Sequence, residues 1–342
     1  MGEGAGGSST GQSPPNPRSG SAGPRHSKRR PKRGLYAGIT VLLVAALVVA
    51  VLTVPGKKPP AFVPQPGPGA YTGLGTWVDL FEAGVWADPE AAVATMASHS
   101  VETIFVESSN YSHDAGVVFP DQTARMIDAA HAAGIHVVAW YLPGLENVDG
   151  DLQKSLAAIR FTTDGGEGFD GFALDIEALL VHDPAQRTDA LLRLSRRLRA
   201  EAGPDYPLGA ITPNPMRLVQ EHNYWPNFPY SELSTLYDVI MPMDYFGAVA
   251  EASNKAGTFR YTMQGIRVIR TNSANLGVPI HVIGGLAEDI TGPELEGFLK
   301  AVDKGQAIGY SIYNFTTTSD ADWAGLQSAV DAGLTNGVGA SP

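Results

Sequence analysis

From Tyr71 onward the chain alternates between two hydrophobic rhythms. Short runs rich in β-branched and aromatic residues occupy 75–81, 102–108, 136–142, 171–177, 208–212, 239–245, 280–285 and 307–315. Their length and alternation predict strands. Between them, apolar residues recur at three- and four-residue spacing, as in Leu191, Leu194 and Leu198, which predicts amphipathic helices. Helices are predicted to begin near Asp88, Asp121, Gly150, Thr188, Tyr230, Thr258, Gly292 and Asp320. Asp88–Pro89–Glu90 has the order of an N-cap, a first-turn proline and a first-turn acid, and Gly134 and Gly203 are placed as helix stops. Eight strand–helix units over 71–335 predict a parallel sheet covered by helices. That number and length fit a closed (β/α)8 barrel, typically ~250 residues. An open doubly wound sheet is the alternative, but the turn after the first strand, TWVDLFEAGVW, lacks the G-x-G-x-x-G order that such folds use for dinucleotides.

The rhythm is absent before Tyr71. Residues 1–34 are rich in Gly, Ser, Pro and Arg, a composition that buries too little apolar surface to order itself. Residues 35–54, LYAGITVLLVAALVVAVLTV, carry no charge and are about as long as a bilayer-spanning helix, ~20 residues. Arg25, Lys28, Arg29, Arg30, Lys32 and Arg33 precede them. This predicts a single-pass anchor at the cell membrane, with a cytoplasmic N-terminus and an extracytoplasmic barrel. A cleaved signal peptide is the competing reading, although AVLTVPG offers no small-residue cleavage site. Residues 55–70 read as a Pro/Gly linker and 336–342 as a flexible end.

Charge separates the same regions. Residues 1–60 hold nine Lys and Arg and one acid, leaving 15 basic and 34 acidic residues beyond them, a net charge of −19. Such a domain lacks the positive footprint that nucleic acids require. There is no cysteine, so disulfides, thiol nucleophiles and Cys-based metal sites are excluded. The histidines show no H-E-x-x-H or paired spacing, and neither a Walker A nor a G-x-S-x-G stretch occurs; no cofactor and no metal is expected. The pair Gly284–Gly285 stands where barrels often hold a phosphate, but no basic residue follows closely and Glu288 and Asp289 would repel one.

The chemistry gathers at the predicted strand ends, where barrels place their active sites. Asp79, Glu107, Trp140, Tyr141, Asn214, Tyr245, Tyr313 and Asn314 all fall there and are expected to hold substrate. The fourth strand, GFALDIE, puts Ala173, Asp175 and Glu177 on one face and Phe172, Leu174 and Ile176 on the other. Two neighbouring carboxyls facing a barrel interior raise at least one pKa, as a general acid requires. Both could instead be held ionised by Arg or amide partners, or bind a cation.

GFDGFALDIE resembles the fourth-strand signature of family 18 glycoside hydrolases, D-G-h-D-h-D-h-E with h apolar. Asp170, Gly171, Phe172, Leu174, Asp175, Ile176 and Glu177 match, and Ala173 replaces the first acid of the D-x-D-x-E core. MPMDYFG resembles the family's M-x-Y-D-x-x-G, with Met241, Asp244 and Gly247 matching and Met243 in place of the Tyr. Tyr313 or a neighbour stands where the family usually has a Trp at the floor of the sugar site. The resemblance implies that Glu177 protonates the glycosidic oxygen, that Asp175 orients the substrate's own N-acetyl group, and that Asp244 contacts the reacting sugar. Tyr245 and Tyr141 are the candidates to supply the missing Tyr hydroxyl. A direct route, with Glu107 or Asp244 as nucleophile or base, stands beside the substrate-assisted one.

The aromatic residues Trp77, Trp86, Trp140, Tyr141, Tyr224, Trp225, Tyr245 and Tyr313 strengthen a carbohydrate reading, because sugar CH faces stack on such rings; for about half of them core packing is the expectation. The segment 212–230, with four prolines, is expected to wall a subsite. The sequence therefore implies a membrane-anchored glycoside hydrolase acting on an envelope or extracellular glycan. The alternative is a catalytically silent barrel that binds glycan or scaffolds the envelope, motivated by Ala173 and Met243.

Overall fold

A computed structural model of the chain describes residues 67–334. The basic tail 1–34, the apolar span 35–54, most of the linker and the C-terminal stretch 336–342 lie outside these residues. Among the described residues no helix is long and apolar enough to cross a membrane.

Eight strands, β1 (Gly73–Val78), β2 (Thr103–Asn110), β3 (His136–Leu142), β4 (Gly171–Asp175), β5 (Leu208–Thr212), β6 (Val239–Pro242), β7 (His281–Leu286) and β8 (Gly309–Tyr313), follow one another in the chain. They hydrogen-bond in the order β6-β5-β4-β3-β2-β1-β8-β7, with every named pair parallel. Parallel bridges Ile240–Ile280 and Met243–Ile283 join β6 to β7 and close the ring. The eight-stranded parallel barrel expected from the rhythm is what forms.

Among the described residues ten α-helices surround it. In chain order α1 to α10 they span Ala83–Ala87, Pro89–Ser98, Pro120–Ala133, Val148–Ile159, Pro184–Ala202, Pro215–Gln220, Tyr230–Leu236, Lys255–Asn272, Gly292–Lys304 and Asp320–Asp331. Several starts precede the predicted positions because the capping residue, not the first apolar residue, sets the boundary. Asp183 accepts from the Gln186 N–H at 2.9 Å and Pro184 takes the first helical position, so α5 begins four residues before Thr188. Asn254 caps α8 in the same way. The segment 212–230 is not a bare loop, since it contains α6.

Two apolar layers result from the alternation along the strands. Phe172, Leu174 and Ile176 pack outward with the helices. Ala173 points into the bore, with Trp77, Phe105, Val138, Trp140, Ile211, Met241 and Met243. The two faces of β4 are assigned as the sequence predicted, but the strand ends at Asp175, and Ile176 and Glu177 form a turn.

A short 3-10 turn, Gly67–Tyr71, plugs the floor. The Tyr71 hydroxyl donates to the carbonyls of Phe172 (2.9 Å) and Pro207 (3.2 Å). Gly171 and Gly209 leave the space it needs: a Cβ at either would stand 2.9 or 2.8 Å from the Tyr71 side chain. His281, at the start of β7, completes the floor. Its Nδ1 lies 2.8 Å from the Tyr71 carbonyl, and its Nε2 lies 2.9 Å from Ser311 Oγ. A carbonyl only accepts, so Nδ1 carries the proton and Nε2 accepts from the Ser311 hydroxyl. Trp77 Nε1 then donates to Ser311 Oγ at 2.8 Å. Burial lowers the His281 pKa to about 4, consistent with this neutral tautomer. At the same end, Asp170 accepts from the Val137 N–H at 2.7 Å and lies 3.0 Å from His131 Nε2. The first motif acid thus ties strand starts together.

Replacing Tyr71 by Phe removes the donor while keeping the plug's shape. The Tyr71→Phe barrel is expected to lose about 1–2 kcal/mol, read as a lower urea midpoint with an unchanged slope. An unchanged midpoint would show that the hydroxyl contributes nothing.

Candidate active site

The opposite end of the bore collects the strand-end acids, and each is compensated differently. Asp79, just beyond β1, is nearly surrounded by donors. Its Oδ2 accepts from the Tyr313 hydroxyl at 2.7 Å and Asn314 Nδ2 at 3.1 Å. Its Oδ1 accepts from the Phe81 N–H at 2.7 Å. Glu107 on β2 accepts from Asn110 Nδ2 at 3.0 Å and from the Leu80 N–H at 3.1 Å, yet burial still raises its pKa. Glu82 is only half satisfied. Oε1 accepts from Thr316 Oγ1 at 2.8 Å, while Oε2 is buried without a hydrogen-bond partner. Burial, reinforced by the Asp79 charge, pushes its carboxyl up to about 7.

Asp175 and Glu177 complete the group. Asp175 is 7 % exposed and its Oδ1 has no hydrogen-bond partner. Burial, then the charges of Glu177 and Glu107, raise its pKa well above the carboxylate range. Glu177, on the turn beyond β4, has an exposed surface, but partial enclosure by the surrounding walls raises its carboxyl as well.

Two clefts meet at Glu177. The first, about 440 Å³, is lined by Glu107, Asn110, Tyr111, Trp140, Asp175, Tyr313 and the 82 %-exposed Phe81, among others. The second, about 390 Å³, runs over the β5 and β6 ends and is lined by Asn214, Arg217, Glu221, Tyr224 and Tyr261, among others. Glu177, Met243 and Tyr245 line both. Tyr245 has a left-handed backbone, φ 33°, a conformation a bulky side chain rarely adopts. A larger hollow of about 580 Å³ lies between residues 146–149 and Arg193, Arg196 and Arg197, but it holds none of the strand-end acids named above.

Three expected site residues take other roles. Asp244 lines neither cleft: its Oδ2 accepts from Thr262 Oγ1 of α8, and its Oδ1 faces Gly265 of the same helix. Burial pushes its carboxyl up to about 7, but alternation about Met243 turns it away from the bore. Tyr141 is likewise directed outward, donating to Asp151 Oδ1 at 2.7 Å, so it does not supply the hydroxyl missing at Met243. Asn214 borders the second cleft but is engaged as the N-cap of α6: its Oδ1 accepts from the Met216 N–H at 2.9 Å and the Tyr261 hydroxyl at 3.0 Å. Asp79 and Asn314 bind each other beneath the rim. Trp140, Tyr313, Tyr245 and Glu107 are brought together around Asp175 and Glu177.

Of the eight aromatics named from the sequence, four line clefts, namely Trp140, Tyr224, Tyr245 and Tyr313. Trp77 fills the bore, stacked on Phe105 at 4.5 Å. Trp86 and Tyr141 pack against helices, and Trp225 lies under Arg187 at 4.1 Å. Phe81 and Arg217 were not read from the sequence as site residues. Arg217 stacks on Tyr224 at 3.9 Å and pairs with Glu221 at 2.9 Å; its i,i+4 spacing to Glu221 was the available signal. Gly284 makes room for the Phe298 ring, which would lie 2.9 Å from a Cβ there, giving that glycine a packing role.

No protein-family model matches the chain, and no curated protein matches its sequence. Solved structures match its fold. A chitinase from Chromobacterium violaceum superposes with a TM-score of 0.54 at 12% identity, over 76% of this chain and 99% of that one. The endo-β-1,4-mannanase from Thermotoga petrophila gives 0.60 at 7% identity, over 78% of each chain. A family 18 chitinase from Cycas revoluta, solved in complex with (GlcNAc)3, gives 0.55 at 11% identity, over 76% of this chain and 98% of that one. The chain is structurally similar to family 18 chitinases and to other glycosidase barrels at low sequence identity.

Glu82 offers a pH test of the buried acids. Its folded pKa lies above that of an unfolded glutamate, so the folded state retains a proton the unfolded state has lost. The stability this contributes is complete below the unfolded pKa and disappears as pH rises through about 7. Glu82→Gln carries no charge at any pH. It is expected to raise the melting temperature by about 2–6 °C near pH 8 and to change it little near pH 5. Equal effects at both pH values would show that Glu82 stays ionised when folded.

Proposed function

We propose that the barrel is a glycoside hydrolase acting on an extracytoplasmic glycan, with Glu177 as its general acid. The observation that carries this reading is the position of Glu177 where two clefts meet, with a carboxyl whose pKa partial enclosure raises above the ordinary glutamate value. A glycan lying across that junction presents its glycosidic oxygen to Glu177. Proton transfer to that oxygen lets the anomeric C–O bond break through an oxocarbenium-like transition state. Asp175 is the favoured second group. Both Glu107 oxygens already accept hydrogen bonds and Asp244 bonds Thr262, whereas Asp175 Oδ1 is unpartnered beside the cleft. Asp175 either orients an acetamido group of the substrate or acts directly on the anomeric centre. Trp140, Tyr245 and Tyr313 supply the rings against which sugars stack.

The reading includes an anchor at 35–54, supported by that span's length, its lack of charge and the basic cluster before it. The full chain is expected to remain in the membrane fraction after a carbonate wash, and a chain lacking 35–54 is expected to be released. Release of both would dispose of the anchor.

A second reading, a silent glycan-binding barrel, is favoured by one observation. Ala173 and Met243 stand where the resembled motifs carry an acid and a Tyr, and both belong to the apolar bore. The decisive experiment measures hydrolysis of β-linked N-acetylglucosamine oligomers, peptidoglycan strands and β-mannan by mass spectrometry. Wild type is expected to release products, and Glu177→Gln to lose at least about 100-fold in kcat with binding preserved. Equal turnover by the variant removes Glu177 from its role, and no release by wild type on any of the three favours the silent barrel.

A further inference from the structure

The first cleft is unusual in its charge. Glu107, Asp175 and Glu177 line it, and neither Arg, Lys nor His does. The second cleft balances Glu221 with Arg217 at 2.9 Å. The titratable side chains lining the first cleft are acidic or phenolic: Glu107 on β2, Tyr111, Asp175 at the end of β4, Glu177 beyond it, Tyr245 after β6 and Tyr313 on β8. Asp79 lies just beyond β1, and the nearby Lys154 ammonium is turned to the Asn110 and Tyr111 carbonyls at 3.3 and 3.2 Å. Carboxylates crowded in a partly dry site without a counter-cation are costly. Protons relieve that cost in the free protein, and a bound cation would relieve it more completely.

Two buried polar atoms at this cleft have no hydrogen-bond partner. One is Asp175 Oδ1. The other is Trp140 Nε1, on a side chain only 6 % exposed. They arise from adjacent strands, since Trp140 is in register with Ala173, two residues before Asp175. An acceptor and a donor left open on adjacent strands fit a ligand offering both a donor and an acceptor. The acids lining the cleft further favour a positively charged donor.

We propose that the first cleft takes an amino sugar carrying a free ammonium group, a hexosamine unit without an N-acyl group, with the ammonium at Asp175 Oδ1 and a ring hydroxyl accepting from Trp140 Nε1. This deepens, and rests on, the reading of the cleft as a glycan site. The ammonium neutralises the cluster where Glu107 and Glu177 add to its attraction. The barrel's net charge of −19 raises the local concentration of a polycationic chain. A neutral N-acetylated sugar meets the same hydroxyl partners and leaves the charge uncompensated. Burial raises the pKa values of Glu107, Asp175 and Glu177, and a bound ammonium lowers them, so affinity rises with pH while the amine remains charged.

The test is calorimetric titration of the full chain with β-1,4-linked glucosamine hexamer and with its fully N-acetylated counterpart. The free-amine hexamer is expected to bind at least about tenfold tighter, a difference of about 1.4 kcal/mol. That preference is expected to shrink in about 0.5 M salt and to disappear in Asp175→Asn. Glu107→Gln is expected to reduce it and serves as the second variant if Asp175→Asn does not fold. Equal binding, preference for the acetylated hexamer, no binding of either, or a preference untouched by salt and by Glu107→Gln would each overturn the proposal. The outcome is separable from that of the hydrolase reading. A barrel that cleaves glycans through Glu177 but prefers acetylated chains refutes only the ammonium site. One that binds the amine but cleaves nothing refutes only the hydrolase.

Discussion

The constraint on which this molecule turns is the desolvation of carboxyl groups at one end of an apolar bore. Asp79, Glu82, Glu107, Asp175 and Glu177 crowd a rim whose neighbouring walls are Trp, Tyr and Met. Each acid there must find donors, a proton or a counter-ion. Asp79 finds donors from β8 and from its own loop, and in doing so clamps the first strand to the last. Glu107 finds two donors and keeps a raised pKa. Asp175 Oδ1 finds no donor, and burial raises the pKa of both Asp175 and Glu177. The acids with the fewest protein partners are therefore the ones best able to give a proton to, or accept a contact from, something that enters.

The interior explains why Asp175 is among them. In the motif that GFALDIE resembles, an acid stands two residues earlier on the same face. Here Ala173 occupies that place, fully buried among Trp77, Val138, Trp140 and Ile211. A methyl group below Asp175 offers no hydrogen bond, so the carboxyl has an apolar floor and like charges above it. The same bore is sealed at its other end by Tyr71, His281 and Ser311, whose hydrogen bonds close on one another. A neutral, satisfied floor and an acid-rich, unsatisfied mouth give the barrel its chemical direction.

Much of this was legible in the sequence. The barrel emerged from eight switches of hydrophobic period, because each strand and each helix must turn an apolar face to the same core. The two faces of β4 followed from alternation alone. Alternation also held information that naming neighbours together blurred: Trp140 and Tyr141 cannot both face the bore, and Asp244 cannot share a face with Met243. Asn214 before Pro215 had the order of a helix cap, and a cap it is. What the sequence could not carry were the partnerships across the barrel. Asp79 meets Tyr313 from 234 positions away, and whether an acid is ionised or protonated depends on such partners rather than on its own neighbours in the chain.

The position of Glu177 shows how a small departure in backbone shapes the site. Had β4 continued to Glu177, its carboxyl would have been fixed in the ladder above Asp175. Instead the strand ends at Asp175, while the Ile176 N–H still donates to the Ile211 carbonyl at 2.9 Å. That bond holds the turn without enclosing the side chain beyond it. Glu177 therefore stands over the rim and borders both clefts, while Asp175 remains below at the edge of one. Two acids two residues apart are thereby given different surroundings, one wet enough to exchange protons and one dry enough to demand a partner. Different surroundings for paired titratable groups are what separates their roles in acid–base chemistry. Here the separation comes from ending a strand two residues early, and not from any change in the acids themselves.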